Sequence, residues 1–225
     1  MNLTLFDLDG TLIETDSDHA FGDYLVQRGW VDPHEFRRRN DAFYADYQAG
    51  TLDLPAYVAF ATSGWRQRPV AEALALREAF MHEVMRPAID PRALALVERH
   101  RAQGDLVAIV TATNEFVTTP IAQAFGVPHL IALELERDAD GRITGGIRGT
   151  PTFREGKIRR VSDWLAGLGH GSGRSAFDRI TFYSDSINDL PLLEWATHPV
   201  ATNPAPALAE IARQRRWPIL ELFRT

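Results

Sequence analysis

Two aspartates stand two residues apart near the start of the chain, in the run Asp7-Leu8-Asp9-Gly10-Thr11. In extended chain, side chains two apart leave on the same face, so both carboxylates can address one substrate together. Gly10 then permits a tight exit from the strand. An Asp-Gly turn that caps a helix would use the same residues, so the run alone leaves both readings open. Two more polar clusters follow apolar runs: Thr111-Ala112-Thr113-Asn114 after Ile109-Val110, and Ser184-Asp185 after a run ending at Tyr183. The chain has no cysteine, which excludes a disulfide scaffold, a thiolate zinc site and a cysteine nucleophile together. Its histidines show no metal-ligand spacing. The chemistry therefore falls to oxygen and nitrogen.

These residues need elements that hold them at one place. Leu3 to Asp7, Leu106 to Val110 and Arg179 to Tyr183 read as short buried strands, each ending in a polar cluster. Helical segments with clear punctuation lie between them, as at Asp90 (N-cap), Pro91 (first turn) and Gly104 (terminator). Alternating strand and helix predicts an α/β fold, a parallel sheet flanked by helices whose strand ends converge on one crevice. From about Ser17 to Met85 no strand is legible. Helix starts at Asp32-Pro33 and Asp53-Leu54-Pro55 predict an inserted, all-helical segment. Leu130 to Ile147 holds two β-rich runs around Asp138-Ala139-Asp140-Gly141, a hairpin signal, and the Gly- and Ser-rich loop 167–175 is expected to be mobile.

The chain has 225 residues, 45% hydrophobic and 24% charged, enough for one core with a substantial insertion. A formal charge of -6, with no long basic run, argues against nucleic acid or an anionic membrane as partner. The start of the chain lacks the pattern of a signal peptide and no apolar run reaches the length of a membrane span. The expected location is the cytoplasm, and no feature specifies an oligomer.

Taken in order, the clusters resemble the four motifs of the haloacid dehalogenase superfamily. Its first motif is DxDGT or DxDST after the first strand, here Asp7 to Thr11. The second is a Ser or Thr after an apolar strand, here Thr111, and the third a Lys entering a helix, here Lys157 in Phe153-Arg154-Glu155-Gly156-Lys157. The fourth is an acidic pair written GDxxxD or GDxxND, here Ser184-Asp185-Ser186-Ile187-Asn188-Asp189, with Ser184 in place of the usual Gly. The match extends from Asp7 to Asp189, and its order carries more than any member does.

The resemblance implies a Rossmann-like core and a magnesium-dependent phosphatase working through an aspartyl-phosphate. Asp7 would be the nucleophile and Asp9 the acid and base, while Thr111 and Lys157 would hold the transferring phosphoryl group. Mg2+ would be held by Asp7 and Asp185, the backbone carbonyl of Asp9 and, directly or through water, Asp189. Backbone N–H groups after Asp7 would add an anion nest. An Asp two residues after the nucleophile is the phosphatase pattern within the superfamily and argues against dehalogenase and phosphonate-hydrolase activity.

The helical insertion resembles the C1 cap of the phosphoserine phosphatase-like branch, subfamily IB. This implies a core of residues 1–16 and 86–225, a cap of residues 17–85, and a small phosphomonoester substrate of the phosphoserine or histidinol-phosphate kind. Asp16 stands where phosphoserine phosphatases carry a Glu that meets the substrate amine, and Asp18 and Asn114 are counted with it as substrate-binding. The same residues read without the family suggest Ser17-Asp18 capping a helix. Arg37, Arg38 and Arg39 are expected on a solvated helix face, and Phe36, Phe43, Tyr44 and Tyr47 in the core of the cap. The competing functions are a phosphomutase using the same intermediate and a non-catalytic module that binds phosphorylated ligands.

Overall fold

The computed structural model describes residues 1–171 and 173–223. In chain order the elements are β1 (Asn2–Phe6), α1 (Ser17–Gln27), α2 (Pro33–Ala49), α3 (Leu54–Ala61), α4 (Val70–Phe80), a π-helical turn (Met81–Met85), α5 (Arg86–Ala88) and α6 (Pro91–Ala102). There follow β2 (Leu106–Asn114), α7 (Glu115–Ala124), β3 (His129–Leu133), β4 (Leu135–Arg137), β5 (Ile143–Ile147) and α8 (Glu155–Gly167). The remainder is β6 (Arg179–Ser184), α9 (Leu190–Trp195), β7 (His198–Thr202), α10 (Pro206–Arg215) and β8 (Ile219–Leu220).

Six strands form one sheet in the order β3-β2-β1-β6-β7-β8, with every neighbouring pair parallel. β1 is central: Leu5 lies opposite Ala108 on one side and Phe182 on the other. Alternate residues of these apolar strands fill two cores. Phe6 and Ile109 belong to one, and Leu3, Leu5, Ala108, Val110 and Phe182 to the other. A parallel sheet covered on both faces needs this double-sided apolarity, which is why its strands read as unbroken hydrophobic runs.

The helix starts follow the expected chemistry, with Asp32, Asp53 and Asp90 each accepting from backbone N–H groups of the first turn and Pro in that turn. At α1 the cap is Asp16, whose carboxylate accepts from Asp18 N and His19 N, rather than Ser17 or Asp18. The hairpin also differs from expectation. The first β-rich run splits, its front half joining the main sheet as β3, and only β4 pairs antiparallel with β5. Within the loop at 167–175, Ser172 lies outside the described residues, and Arg174–Ala176 forms a 3-10 turn.

Helices α1 to α4 lie between β1 and β2 and cover the sheet's carboxyl edge. Their apolar core is continuous with that of the sheet: Phe21 meets Phe80 and Phe116 edge-on or tilted, and Trp65 stacks on Phe116 of α7 with centroids 4.0 Å apart. No helix among the described residues is long and apolar enough to cross a membrane.

Candidate active site

The parallel register puts the ends of β1, β2 and β6 side by side, so the residues leaving them meet. Asp7 N donates to Tyr183 O at 2.9 Å, which extends the β1–β6 pairing by one residue and fixes where the Asp7 side chain begins. Asp7 is buried, and its Oδ1 accepts from Lys157 Nζ at 2.8 Å. Lys157 enters on the first turn of α8, is 1% exposed, and also meets both oxygens of Asp189, at 2.7 and 2.8 Å. Burial works against the charge on this lysine, but Asp189 and Asp7 outweigh it and hold its pKa above the ordinary value.

Burial raises the Asp7 pKa to about 7 against the pull of Lys157, with Asp189 and Asp9 adding to the rise. Asp185 is pushed well up by burial, Asp7 and Asp189. It is anchored by Thr11, whose hydroxyl donates to Asp185 Oδ1 at 3.2 Å and accepts from Asp185 N at 3.0 Å. Gly10 makes the approach possible. It has φ +72°, and a Cβ there would fall 2.3 Å from Asp185 Oδ2. Asn203, which the sequence did not single out, donates to Gly10 O at 3.0 Å and so fixes this turn from the far end of β7.

Asp9 turns toward the inserted helices. Its Oδ1 accepts from Ser17 N at 2.7 Å, its Oδ2 from Thr113 Oγ1 at 2.9 Å. Burial and the neighbouring Asp16 raise its pKa to about 7, in spite of the bonds from Ser17 and Thr113. A carboxyl poised there can both give and take a proton near neutrality. Thr111 is buried in β2, three residues before its end, its hydroxyl accepting from Thr113 N at 3.1 Å.

Ser184 has a use its place in the motif does not suggest. Its hydroxyl donates to Asp189 Oδ2 at 2.8 Å and accepts from Ser186 N at 3.2 Å. The Asp189 carboxylate is thus shared between Lys157 and Ser184.

Asp7, Asp9 and Thr111 floor a small cavity of about 40 Å³ between the sheet edge and the inserted helices. Phe43, Tyr44 and Tyr47 line it from α2, so these aromatics face the crevice, whereas Phe36 is buried against Phe60 as expected of cap core. Residues 40, 43, 44 and 47 follow helical spacing, and the face they share is turned to the site. Arg37, Arg38 and Arg39 are exposed on the same helix, with the Arg39 guanidinium lying over the Phe60 ring at 4.6 Å. Asp16 and His19 also line the cavity. Asp16 Oδ1 takes both capping bonds, and its Oδ2 accepts no hydrogen bond among the described residues. Burial raises its pKa to about 6, against the bond from His19 N.

Asp18 and Asn114 are drawn together away from the cavity. Asn114 Nδ2 donates to Asp18 Oδ1 at 3.1 Å, Tyr57 donates to Asp18 Oδ2 at 2.8 Å, and Asn114 Oδ1 caps α7 through Val117 N. They tie α1 and α3 to the end of β2.

The sequence model of the haloacid dehalogenase-like hydrolases matches residues 4–194, which spans the whole constellation. The chain belongs to that family. Among its relatives in this hydrolase family, a histidinol-phosphatase of Neisseria meningitidis serogroup C (strain 8013) is 42% identical over 97% of this chain and 98% of its own. A solved structure of a protein of unknown function from Bordetella pertussis Tohama I is 49% identical, with a TM-score of 0.92 over 99% of each chain. A substrate-bound phosphoserine phosphatase has the same fold, with a TM-score of 0.69 at 17% identity, covering 97% of this chain and 92% of its own. In this haloacid dehalogenase-like hydrolase the strand order around β1 sets Asp7 beside Lys157 and near Asp185.

Proposed function

We propose that the protein is a phosphomonoesterase in which Asp7 takes the phosphoryl group from a small phosphorylated metabolite. One observation carries this reading: Asp7 lies against Lys157 on the floor of a cavity beneath the inserted helices, with Asp9 two residues on and poised near neutrality. The Asp7 carboxylate bonds to phosphorus as the ester P–O bond breaks, and Asp9 gives its proton to the departing oxygen. Asp9 then takes a proton from water, whose oxygen attacks phosphorus and releases phosphate from Asp7. Lys157 offsets the repulsion between two anions, and Thr111 is the neighbouring hydroxyl for a phosphoryl oxygen.

The oxygen donors suit magnesium. Asp7 and Asp185 are two carboxylates whose mutual repulsion a divalent cation relieves, and the Asp9 carbonyl is the third hard donor. Asp189, already held by Lys157 and Ser184, would act on such an ion through water. Bound magnesium would supply charge neutralisation at the phosphoryl oxygens.

The division of labour follows the chain. Residues 1–16 and 86–225 do the chemistry, and the cap of residues 17–85 senses the rest of the substrate. The free oxygen of Asp16 suits an ammonium group, and the aromatic face of α2 suits a planar ring. Together with the histidinol-phosphatase relative, this favours a histidinol-phosphate-like substrate in the cytoplasm. The test is phosphate release from a panel of phosphomonoesters with magnesium and with chelator. Histidinol phosphate should be turned over fastest, O-phosphoserine more slowly, and neither in chelator. Equal turnover of all esters, or full activity under chelation, would overturn the substrate or the metal assignment respectively.

A further inference from the structure

Arg154 holds a backbone conformation that an L-residue avoids, with φ 50° and ψ −125°. Glycine is the residue suited to such a position, and strain of this kind persists where the surroundings impose it. Its side chain shows what is obtained in return. The guanidinium donates to Gly50 O, just past the end of α2, and its Nε reaches Asn188 Oδ1 at 3.4 Å. Asn188 Nδ2 in turn donates to Tyr47 O at 2.9 Å. The carbonyls of a helix's last turn lack partners and carry its negative end, so a cation placed there is bound by charge as well as by hydrogen bonds.

Both core partners belong to the catalytic motifs. Arg154 O accepts from Lys157 N at 3.0 Å in the first turn of α8, and Asn188 lies between Asp185 and Asp189. α2 carries Phe43, Tyr44 and Tyr47 into the cavity, and the Tyr47 hydroxyl faces Ser186 and the carboxylates of Asp7, Asp185 and Asp189. We propose that Arg154 is a positioning residue that straps the end of α2 to the third and fourth motifs, setting the aromatic wall over the phosphoryl site. Arg154 does not line the cavity, so its action passes through Gly50, Asn188 and α2.

The inference rests on the phosphomonoesterase reading, and its test is arranged so that the two fail separately. Wild-type enzyme, Arg154→Gly and Arg154→Lys are compared with magnesium present, measuring Tm, and kcat and KM on histidinol phosphate and on ethyl phosphate. Arg154→Gly removes the strain together with the strap. Its Tm should equal or exceed that of the wild type, while KM for histidinol phosphate rises about tenfold or more, the scale of a lost charged hydrogen bond. The rise should be smaller for ethyl phosphate, whose leaving group has no ring or amine to be placed against α2. Arg154→Lys keeps a cation at the helix end and should recover part of the loss. Wild-type KM in Arg154→Gly would overturn the strap, as would a lowered Tm with equal losses on both esters, which is the behaviour of a fold residue. Wild-type enzyme releasing phosphate from neither ester would instead sink the activity on which the inference rests.

Discussion

Asparagine at position 7 keeps the shape of the nucleophile and removes its reactivity. Asp7 is buried among carboxylates that raise its pKa, so losing its charge also relieves repulsion, and Lys157 keeps Asp189 as partner. Asp7→Asn should therefore abolish turnover with Tm within a few degrees of wild type; residual phosphatase activity in a clean preparation would remove the nucleophile assignment. Asp9→Asn is a different experiment, because an amide oxygen can still accept from Ser17 N but cannot shuttle a proton. The expected loss in kcat is about 10²–10⁴-fold on an alkyl phosphate and much smaller on p-nitrophenyl phosphate, whose leaving group needs no proton. Equal losses on the two esters would show that Asp9 is not the leaving-group acid. Ser184 shows where a motif comparison stops at this scale. The pattern records a serine in place of glycine, and only the fold reveals that its hydroxyl is bonded to Asp189.

At the scale of elements, Asp16 caps α1 and faces the cavity at once, and the two uses can be separated. Asparagine caps a helix about as well as aspartate, so Asp16→Asn should hold α1 and remove the charge alone. The expected outcome is a loss of about 1 to 3 kcal/mol in kcat/KM for amino-bearing phosphates, with matched neutral esters spared. Equal changes across such pairs would leave Asp16 as a helix cap. What the sequence shows of these elements follows from how local the determinants are. Asp7, Asp9 and Asp185 are legible because each lies within three residues of the end of an apolar run, where the strand still fixes the direction of the side chain. The face of α2 is not legible, because Phe36 and Phe43 are both aromatic at helical spacing and both pack on Phe60, and only the fold decides that Phe43 also reaches the crevice. β3 was hidden for a related reason. Its apolar run continues almost without break into β4, and the turn signal at 138–141 marks the hairpin but not the departure from the main sheet. The strained Arg154 could not be seen at all, since arginine, unlike glycine or asparagine, does not advertise a positive φ.

For the molecule as a whole, the carboxyls gathered at the sheet edge make stability depend on pH. Burial raises Asp7 and Asp9 to about 7, and Asp16 and Asp18 to about 6, from an ordinary 3.8. A carboxyl with a higher pKa folded than unfolded takes up protons on folding. Its contribution is therefore fully present below the unfolded value and is lost as pH rises through the folded one. In chelator, Tm should fall between about pH 5 and pH 7.5. Magnesium should raise Tm more at the upper end, where its carboxylate ligands are ionised; a magnesium effect independent of pH would argue against the acidic cluster as its site.

The position of β1 in the sheet also bears on when the fold can form. The first strand made is the central one, and its two neighbours begin at Leu106 and Arg179. A nascent chain holding β1 and the inserted helices has no strand to pair with β1, and one extended through β2 and β3 still presents an open, apolar edge where β6 belongs. Contacts of such long sequence separation make folding slow and leave intermediates exposed to aggregation. The arrangement that brings Asp7 between Thr111 and Asp185 thus leaves the active site incomplete until β6, the last of the three strands, has been made.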